Sequence, residues 1–271
     1  MNTLRRMQEN NHISFMEQMA KFESISLEEL DSIKLMNRID TKYITNESVL
    51  LEVLKDAAAA GYRALEVNDF RVSPYDSIYY DTDDLKMFQD HHNRRLIRQK
   101  VRTRSYESSG STFLEIKRKN NKGRTKKKRT IIPSCDFSDF RQNSDAVDYL
   151  TRHSAFTVEQ LSPVLETMFN RITLVNPAKT ERLTIDVCIK FRNFKTKTDA
   201  SLNNAVIIEL KQDGRVPSQI KEILLKHRVK HSRISKYCIA ITLTDPDARS
   251  NRFRPRIRNI EKIINQRLDT L

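Results

Sequence analysis

The chain has 271 residues and a formal net charge of +14, from 49 lysines and arginines against 35 aspartates and glutamates. That balance calls for an anionic partner (nucleotide, polyphosphate, nucleic acid or acidic lipid), and the 38% hydrophobic content is enough for a core. The glycines Gly61, Gly110, Gly123 and Gly214 form no Gly-x-x-x-x-Gly-Lys, which excludes a P-loop cradle and leaves phosphate to be held by side chains.

Residues 3–20 read as an irregular amphipathic helix. Ser26 with Glu29 makes a capping box for a short helix reaching Lys34, and a strand from Leu35 to Ile44 follows. Asn46 caps a helix over Glu47–Ala60 that Gly61 ends. Ser77–Asp81 reads as a strand, Thr82 as the cap of a short Asp83–Asp90 turn, and Arg94–Tyr106 as a long strand. Glu107–Ser111 turns into a strand over Thr112–Lys119, and Asn120–Gly123 turns again into Thr125–Pro133. One or two helices fill 136–162, capped by Asp136 or Ser144. Strands follow over Pro163–Asn176, Arg182–Phe194 and Ala205–Gln212, then a helix over Ser218–Arg228 and a last strand over Lys236–Leu243. Arg249–Leu271 reads as a basic helix or tail. With no repeat and no obvious linker, one domain over 1–271 is expected: N-terminal helices over 1–35, strands and inserted helices over 36–245, and the basic segment over 246–271.

Side chains alternate faces along a strand. Six segments place charge in one phase: Arg38, Asp40, Lys42; Lys100, Arg102, Arg104; Glu115, Lys117, Lys119; Arg171 with Thr173; Arg182, Thr184, Asp186; Glu209, Lys211. The other phase of the later strands is apolar, with Leu183, Ile185, Val187, Ile189 and then Val206, Ile208, Leu210. Alone, Arg38-Ile-Asp-Thr-Lys42 is an ordinary solvated face. Repeated in so many strands, the pattern allows a closed barrel that is greasy outside and cationic within. Like charges stacked at this spacing repel until an anion lies between them, and the arginine fork suits phosphate oxygens. The carboxylates Glu115, Glu209, Asp186 and Asp40 either pair with neighbouring cations or hold a hard divalent ion through oxygen.

Lys126-Lys-Lys-Arg129 reads as a solvated hairpin with one or two side chains turned inward, which strand phase cannot specify. Zinc at His91-His92 or at His227 and His231 is disfavoured; the second pair lies among Lys226, Arg228, Lys230 and Arg233. Cys135, Cys188 and Cys238 have no Cys-x-x-Cys spacing, and Cys188 and Cys238 fit small buried thiols in strands. Arg5 and Arg6 precede no apolar run, and no stretch is long enough to span a membrane, so a cytoplasmic protein is expected.

At these residues the chain resembles the catalytic domain of the vacuolar transporter chaperone family, the polyphosphate polymerase branch of the CYTH-like triphosphate tunnel metalloenzymes. The resemblance runs from Phe22 to Leu243, through Phe22-x-x-Ile-x-Leu, Arg38-x-Asp-x-Lys-Tyr, Tyr79-Tyr-Asp, His91-x-x-x-Arg95, Lys-x-Arg-x-Arg-x-Tyr ending at Tyr106, Glu-x-Lys, Arg171, Arg182-x-Thr-x-Asp186, Glu209-x-Lys211 and Ser235-Lys236-Tyr237. It implies an α+β fold, a closed antiparallel tunnel of about eight strands with decorating helices, like other closed barrels of this size. It also implies Mn²⁺ or Mg²⁺ as cofactor and ATP and inorganic polyphosphate as partners. Together with the charge phases it assigns Lys42, Arg102, Arg104, Lys117 and Arg171 to the triphosphate. Arg38, Lys100, Lys119, Arg129, Arg182, Lys211, Ser235 and Lys236 would bind substrate, and Glu209, Glu115 and Asp186 would hold metal.

The wider superfamily opens with Glu-x-Glu-x-Lys, where this sequence has Arg38 and Asp40, as the polymerase branch does. The sequence carries neither the inositol-phosphate-sensing domain nor the membrane helices of fungal members and looks more like stand-alone bacterial-type members. A membrane-protein partner or an anionic inner membrane face, met through the basic C-terminal segment, would supply a tether. The expected reaction is γ-phosphoryl transfer from ATP to a polyphosphate chain. The alternatives are triphosphate hydrolysis, if water replaces the acceptor, and a non-catalytic polyanion or nucleic-acid binder. The aromatic share of 7% with no tryptophan argues against specific nucleic-acid recognition by base stacking.

Overall fold

The computed structural model describes residues 15–268 except 34, 36, 37 and 215. Residues 3–14 of the expected N-terminal helix lie outside the described residues; residues 15–20 are helical (α1). In chain order come β1 (Glu23–Ile25), α2 (Leu27–Ser32), β2 (Arg38–Asn46), α3 (Glu47–Ala59), β3 (Arg63–Leu65), β4 (Ser73–Asp81), α4 (Lys86–His92), β5 (Arg98–Tyr106), β6 (Ser111–Lys119) and β7 (Thr125–Ile132). Then come α5 (Ser144–His153), β8 (Ser162–Val175), β9 (Glu181–Asn193), β10 (Thr198–Ser201), β11 (Ala205–Asp213), α6 (Gln219–Lys226), α7 (Lys236–Thr244) and α8 (Arg254–Ile264). The class is α+β, as expected. The strand order is β2-β11-β9-β8-β4-β5-β6-β7, with β1, β3 and β10 off this path.

The chain packs into two compact units, each built from separated segments. Of the described residues, the first holds those within 15–73, 170–187 and 204–233. In it β11 pairs antiparallel with both β2 and β9, so that Lys42, Glu209 and Thr184 lie side by side, as do Asp40, Lys211 and Arg182. The opposite face carries Tyr43, Leu183, Ile185, Val206, Ile208 and Leu210 into a core with Leu50, Val53, Leu54 and Ala57 of α3. Those four α3 positions are spaced i, i+3, i+4, i+7, one helix face. Asn46 caps α3 as expected, its Oδ1 accepting the Val49 N–H at 2.9 Å. Gly61 then turns the chain at φ 76°, and a Cβ there would stand 3.2 Å from Pro177, so both backbone and space require glycine.

The second unit holds residues 74–169, 188–203 and 234–268. Strands β4, β5, β6 and β7 pair antiparallel in sequence order. One face gives Ile78, Tyr80, Val101, Leu114 and Ile116 to a core completed by Phe140 and Leu150. Asp81, at the end of β4, is fully buried. Its carboxylate accepts the N–H groups of Thr82, Met87 and Phe88 and the Tyr237 hydroxyl. Leu85, the residue before α4, offers no side-chain cap; Thr82, the expected cap, accepts the Lys86 N–H at 2.9 Å, and Asp81 takes those of Met87 and Phe88 from the strand.

Several expectations are corrected. Lys236–Leu243 forms α7, a helix and not a strand. Its Tyr237, Cys238, Ile239, Ala240 and Ile241 are all buried, so the run has no amphipathic period to distinguish the two. Cys188 lies in β9 but is exposed, with φ 54°. Asn143, and neither Asp136 nor Ser144, caps α5 by accepting the Ala146 N–H at 3.0 Å. The short strands β1, β3 and β10 have no counterpart in the sequence reading. In the C-terminal segment, expected as a basic helix or tail, Phe253, Ile260, Ile264 and Leu268 are buried and belong to the core. No helix among the described residues is long and apolar enough to cross a membrane.

Candidate functional site

In the second unit β5 and β6 bring the expected cations together around one acid. Arg102, Glu115 and Arg129 are neighbours in register, and beside them lie Lys100, Lys117 and Lys127. Glu115 is almost completely buried and pairs with Arg102 and Lys127. Burial would raise its pKa, but Arg102, Arg104 and Lys127 outweigh that and hold it far below the carboxylate range. Register also specifies which of Lys126–Arg129 share the face of Glu115: Lys127 and Arg129 do, Lys126 and Lys128 do not.

A layer of aromatic hydroxyls, unforeseen as part of the site, backs these cations. Tyr75, Ser77 and Tyr79 share a phase of β4 and stand opposite Tyr106, Arg104 and Arg102. Arg102 donates to the Tyr79 hydroxyl at 3.0 Å and Arg104 to Ser77 Oγ at 2.9 Å. Arg104 is only 6% exposed and lies 5.6 to 6.0 Å from the centroids of Tyr75, Phe169 and Tyr106. Burial would raise the Tyr79 phenol, but Arg102, Lys100 and Arg104 pull it below its ordinary value. The signal was present as Tyr75-x-Ser-x-Tyr79; a strand started at Ser77 misses Tyr75.

Ser235 and Lys236 open α7. Ser235 Oγ accepts the Cys238 N–H and the Lys100 ammonium, the latter at 2.9 Å. Lys236 Nζ lies 2.9 Å from the centre of the Phe169 ring. The positive end of the α7 dipole, Lys100 and Lys236 thus belong to one anion-seeking arrangement. Behind it, Cys238 Sγ and His91 Nδ1 are 3.0 Å apart. Burial, reinforced by Lys100, Arg98 and Arg256, pushes His91 down to about 3, and burial pushes the Cys238 thiol up. A neutral thiol beside a neutral imidazole is no activated nucleophile.

In the first unit, Arg171 makes a two-pronged pair with Asp186 at 2.6 and 2.8 Å, and Lys42 bonds Glu209 at 2.9 Å. Lys211 is pushed down to about 8, first by burial and then by Arg171 and Arg38, against the pull of Glu209 and Asp40. Arg38 pairs with its own neighbour Asp40 at 2.7 Å, and Arg182 donates to the Leu30 carbonyl at 2.6 Å. Beside Glu209, Thr184 is 5% exposed, and its hydroxyl oxygen has no hydrogen-bond partner among the described residues. Lys119, opposite Arg98 in the second unit, lies at the hairpin end of β6.

The three expected metal ligands differ in fitness. Among the described residues no three His, Cys, Asp or Glu side chains gather as a metal cage. Both oxygens of Asp186 receive Arg171, and both oxygens of Glu115 receive cations, so neither suits a metal. Glu209, 20% exposed and paired through Oε2 with a lysine that reaches water, is the carboxylate that fits a hard divalent ion whose remaining ligands are phosphate and water oxygens.

A family model described as the VTC domain matches residues 37–244. No curated protein sequence matches the chain. Among solved structures, a candidate adenylate cyclase from Bacillus halodurans aligns over 74% of this chain and 96% of its own, at 12% identity and a TM-score of 0.50. A candidate adenylyl cyclase from Hippeastrum, described as having a dominant triphosphatase activity, covers 76% of this chain and 95% of its own, at 12% identity and a TM-score of 0.47. A Pyrococcus horikoshii protein covers 76% and 98%, at 14% identity and a TM-score of 0.44.

Proposed function

Because the chain belongs to the VTC-domain family, we propose that it transfers the γ-phosphoryl group of ATP to the end of a growing inorganic polyphosphate chain. A terminal phosphate oxygen of the chain attacks the γ-phosphorus, the bond to the β,γ-bridging oxygen breaks, and ADP leaves with the electron pair. The attacking oxygen is already ionised, so no general base is needed; positioning and charge neutralisation do the work. The observation that carries the reading is the register row Lys100, Lys117, Lys127, three cations side by side next to a single buried acid.

In this reading Lys42, Arg102, Arg104, Lys117 and Arg171 hold the triphosphate, with Arg104 the most deeply set. Lys100, Lys119, Arg129, Lys211, Ser235 and Lys236 bind the chain or its acceptor end, and Arg38 and Arg182 act at the margin. The strands are taken to close into a tunnel around the substrate. Glu209 would hold Mn²⁺ or Mg²⁺, which when bound offsets charge on the phosphate oxygens. Glu115 and Asp186 serve instead as fixed counter-charges that hold Arg102, Lys127 and Arg171 in place. The protein is taken to work in the cytoplasm, and the exposed basic side chains of α8 remain available to an anionic membrane face.

Incubating the protein with γ-labelled ATP and Mn²⁺ and resolving the products on a gel tests the proposal. A ladder supports it. Free phosphate alone would make the protein a triphosphatase, and no turnover would make it a binder. Glu209→Ala should remove the metal dependence while leaving the melting temperature nearly unchanged.

A further inference from the structure

The hairpin between β6 and β7 carries cations on both faces. From Lys117 to Lys128 there are eight lysines and arginines, and no acid lies between Glu115 and Asp136. One face holds Lys117 opposite Lys127 and belongs to the site already described. On the other face Arg118 stands directly opposite Lys126, and Lys128 follows opposite Ile116. Arg118, Lys126 and Lys128 are exposed and form no ion pair among the described residues.

Like charges directly opposed across two strands destabilise a hairpin. β7 ends the strand order, and lysines on an edge strand discourage unwanted pairing, which accounts for Lys126 and Lys128. It does not account for Arg118, which lies on β6 between two hydrogen-bonded neighbours. An anion between Arg118 and Lys126 turns the repulsion into attraction. No aromatic residue occurs from Ile116 to Thr130, so a nucleic-acid base has nothing to stack on. Ile116, the one large apolar side chain in that span, is buried, and the exposed Ile131 shares the strand phase of Lys127 and Arg129, so the outer face has no anchor for lipid. A chain of phosphates without bases fits these requirements.

We propose that the outer face of this hairpin, Arg118, Lys126 and Lys128, is a landing surface for inorganic polyphosphate longer than a triphosphate. The inference rests on the proposed function for the identity of the polymer, but it concerns a face that contributes nothing to the transfer step. Long chains would bind tightly by continuing from the inner row onto this outer one, whereas a triphosphate would occupy the inner row alone.

The test compares binding of long-chain polyphosphate and of tripolyphosphate to the full chain and to a variant carrying Arg118→Gln, Lys126→Gln and Lys128→Gln. The wild type should bind the long chain at least about tenfold more tightly, with a steeper salt dependence, and the variant should lose that advantage. Tripolyphosphate affinity and ATP turnover should be unchanged in the variant, which also reports that it is folded, and its melting temperature in low salt should rise as the repulsion is relieved. Arg118→Lys, which keeps the charge, should keep the long-chain advantage. Equal long-chain binding by variant and wild type would overturn the proposal, as would parallel loss of tripolyphosphate binding. A loss confined to anionic vesicles, or equally tight binding of a single-stranded oligonucleotide of matched charge, would overturn the choice of partner. Length-dependent binding without ATP turnover would leave this surface standing and remove the polymerase reading instead.

Discussion

Tyr237 and Asp81, 156 residues apart, form a buried hydrogen bond of 2.5 Å between the phenol and the carboxylate. The same phenol ring stacks on Tyr79 at 5.1 Å, and the Tyr79 hydroxyl accepts from Arg102. Burial pushes the Asp81 carboxyl up, and the Tyr237 hydroxyl draws it back.

Tyr237→Phe should therefore leave a buried carboxylate short of a donor. The expected loss is about 1–3 kcal/mol. A urea melt with an unchanged slope and a lower midpoint would check it.

Glu115→Gln removes the acid that neutralises Arg102 and Lys127. We expect a loss of about 3 kcal/mol, the low end for a broken buried pair, because Lys127 still reaches water. Triphosphate should restore more stability to this variant than it adds to the wild type, as seen in paired thermal melts. The sign with pH follows: Glu115 has a depressed pKa in the folded state, so its contribution is present above the ordinary value of about 4.3 and is lost as pH falls. The variant should lack that acid-side decline.

Lys211 gives a second pH signature. It titrates at about 8 in the free protein, so it carries its charge below that pH and gives it up above. Apparent affinity for ATP should fall as pH rises through this window, by up to about one decade per pH unit if binding retains the proton. Calorimetric titrations from neutral to alkaline pH would show it, and Lys211→Met should flatten the slope.

Of the three thiols, Cys135 and Cys188 are exposed and Cys238 is buried. A colorimetric thiol reagent should titrate two per chain in the native protein and the third only after unfolding. A single native thiol would place Cys188 back in the interior, where its sequence pattern suggested it lay.

The alternating phases on β2, β5, β6, β9 and β11 were legible in the sequence because a period of two survives in any antiparallel pairing. The helix α3 was legible because Asn46, the four-position stripe and Gly61 agree with one another. Helix α7 was not, since an apolar run buried on every side carries no period. Tyr75 and Tyr79 escaped because aromatic side chains beside Ser77 look like core until register sets them against Arg102 and Arg104. The fate of each carboxylate also depended on pairing: Glu115 and Asp186 are bound by arginine, and Glu209 by Lys42, which residue types alone do not distinguish.

The two units alternate along the chain, and this sets an order of assembly during synthesis. The first unit lacks β11 and α6 until the chain has reached Lys226. The second begins at Pro74, yet Asp81 waits for Tyr237 and Asn193 for Thr244, its partner at 2.9 Å. A ribosome-bound chain can bury the apolar face of β4 to β7 against Phe140 and Leu150 once Leu161 has been made, but the apolar faces of β2 and β9 stay exposed until β11 and α6 follow. Stalled chains ending before β11 should be digested rapidly by protease in β2, α3 and β9, while β4 to β7 gain partial protection earlier and the contacts of Asp81 and Asn193 only at the end of synthesis. For a cell making this protein, the period of greatest risk is translation itself, and the demand on holding chaperones is fixed by the interleaving of the segments.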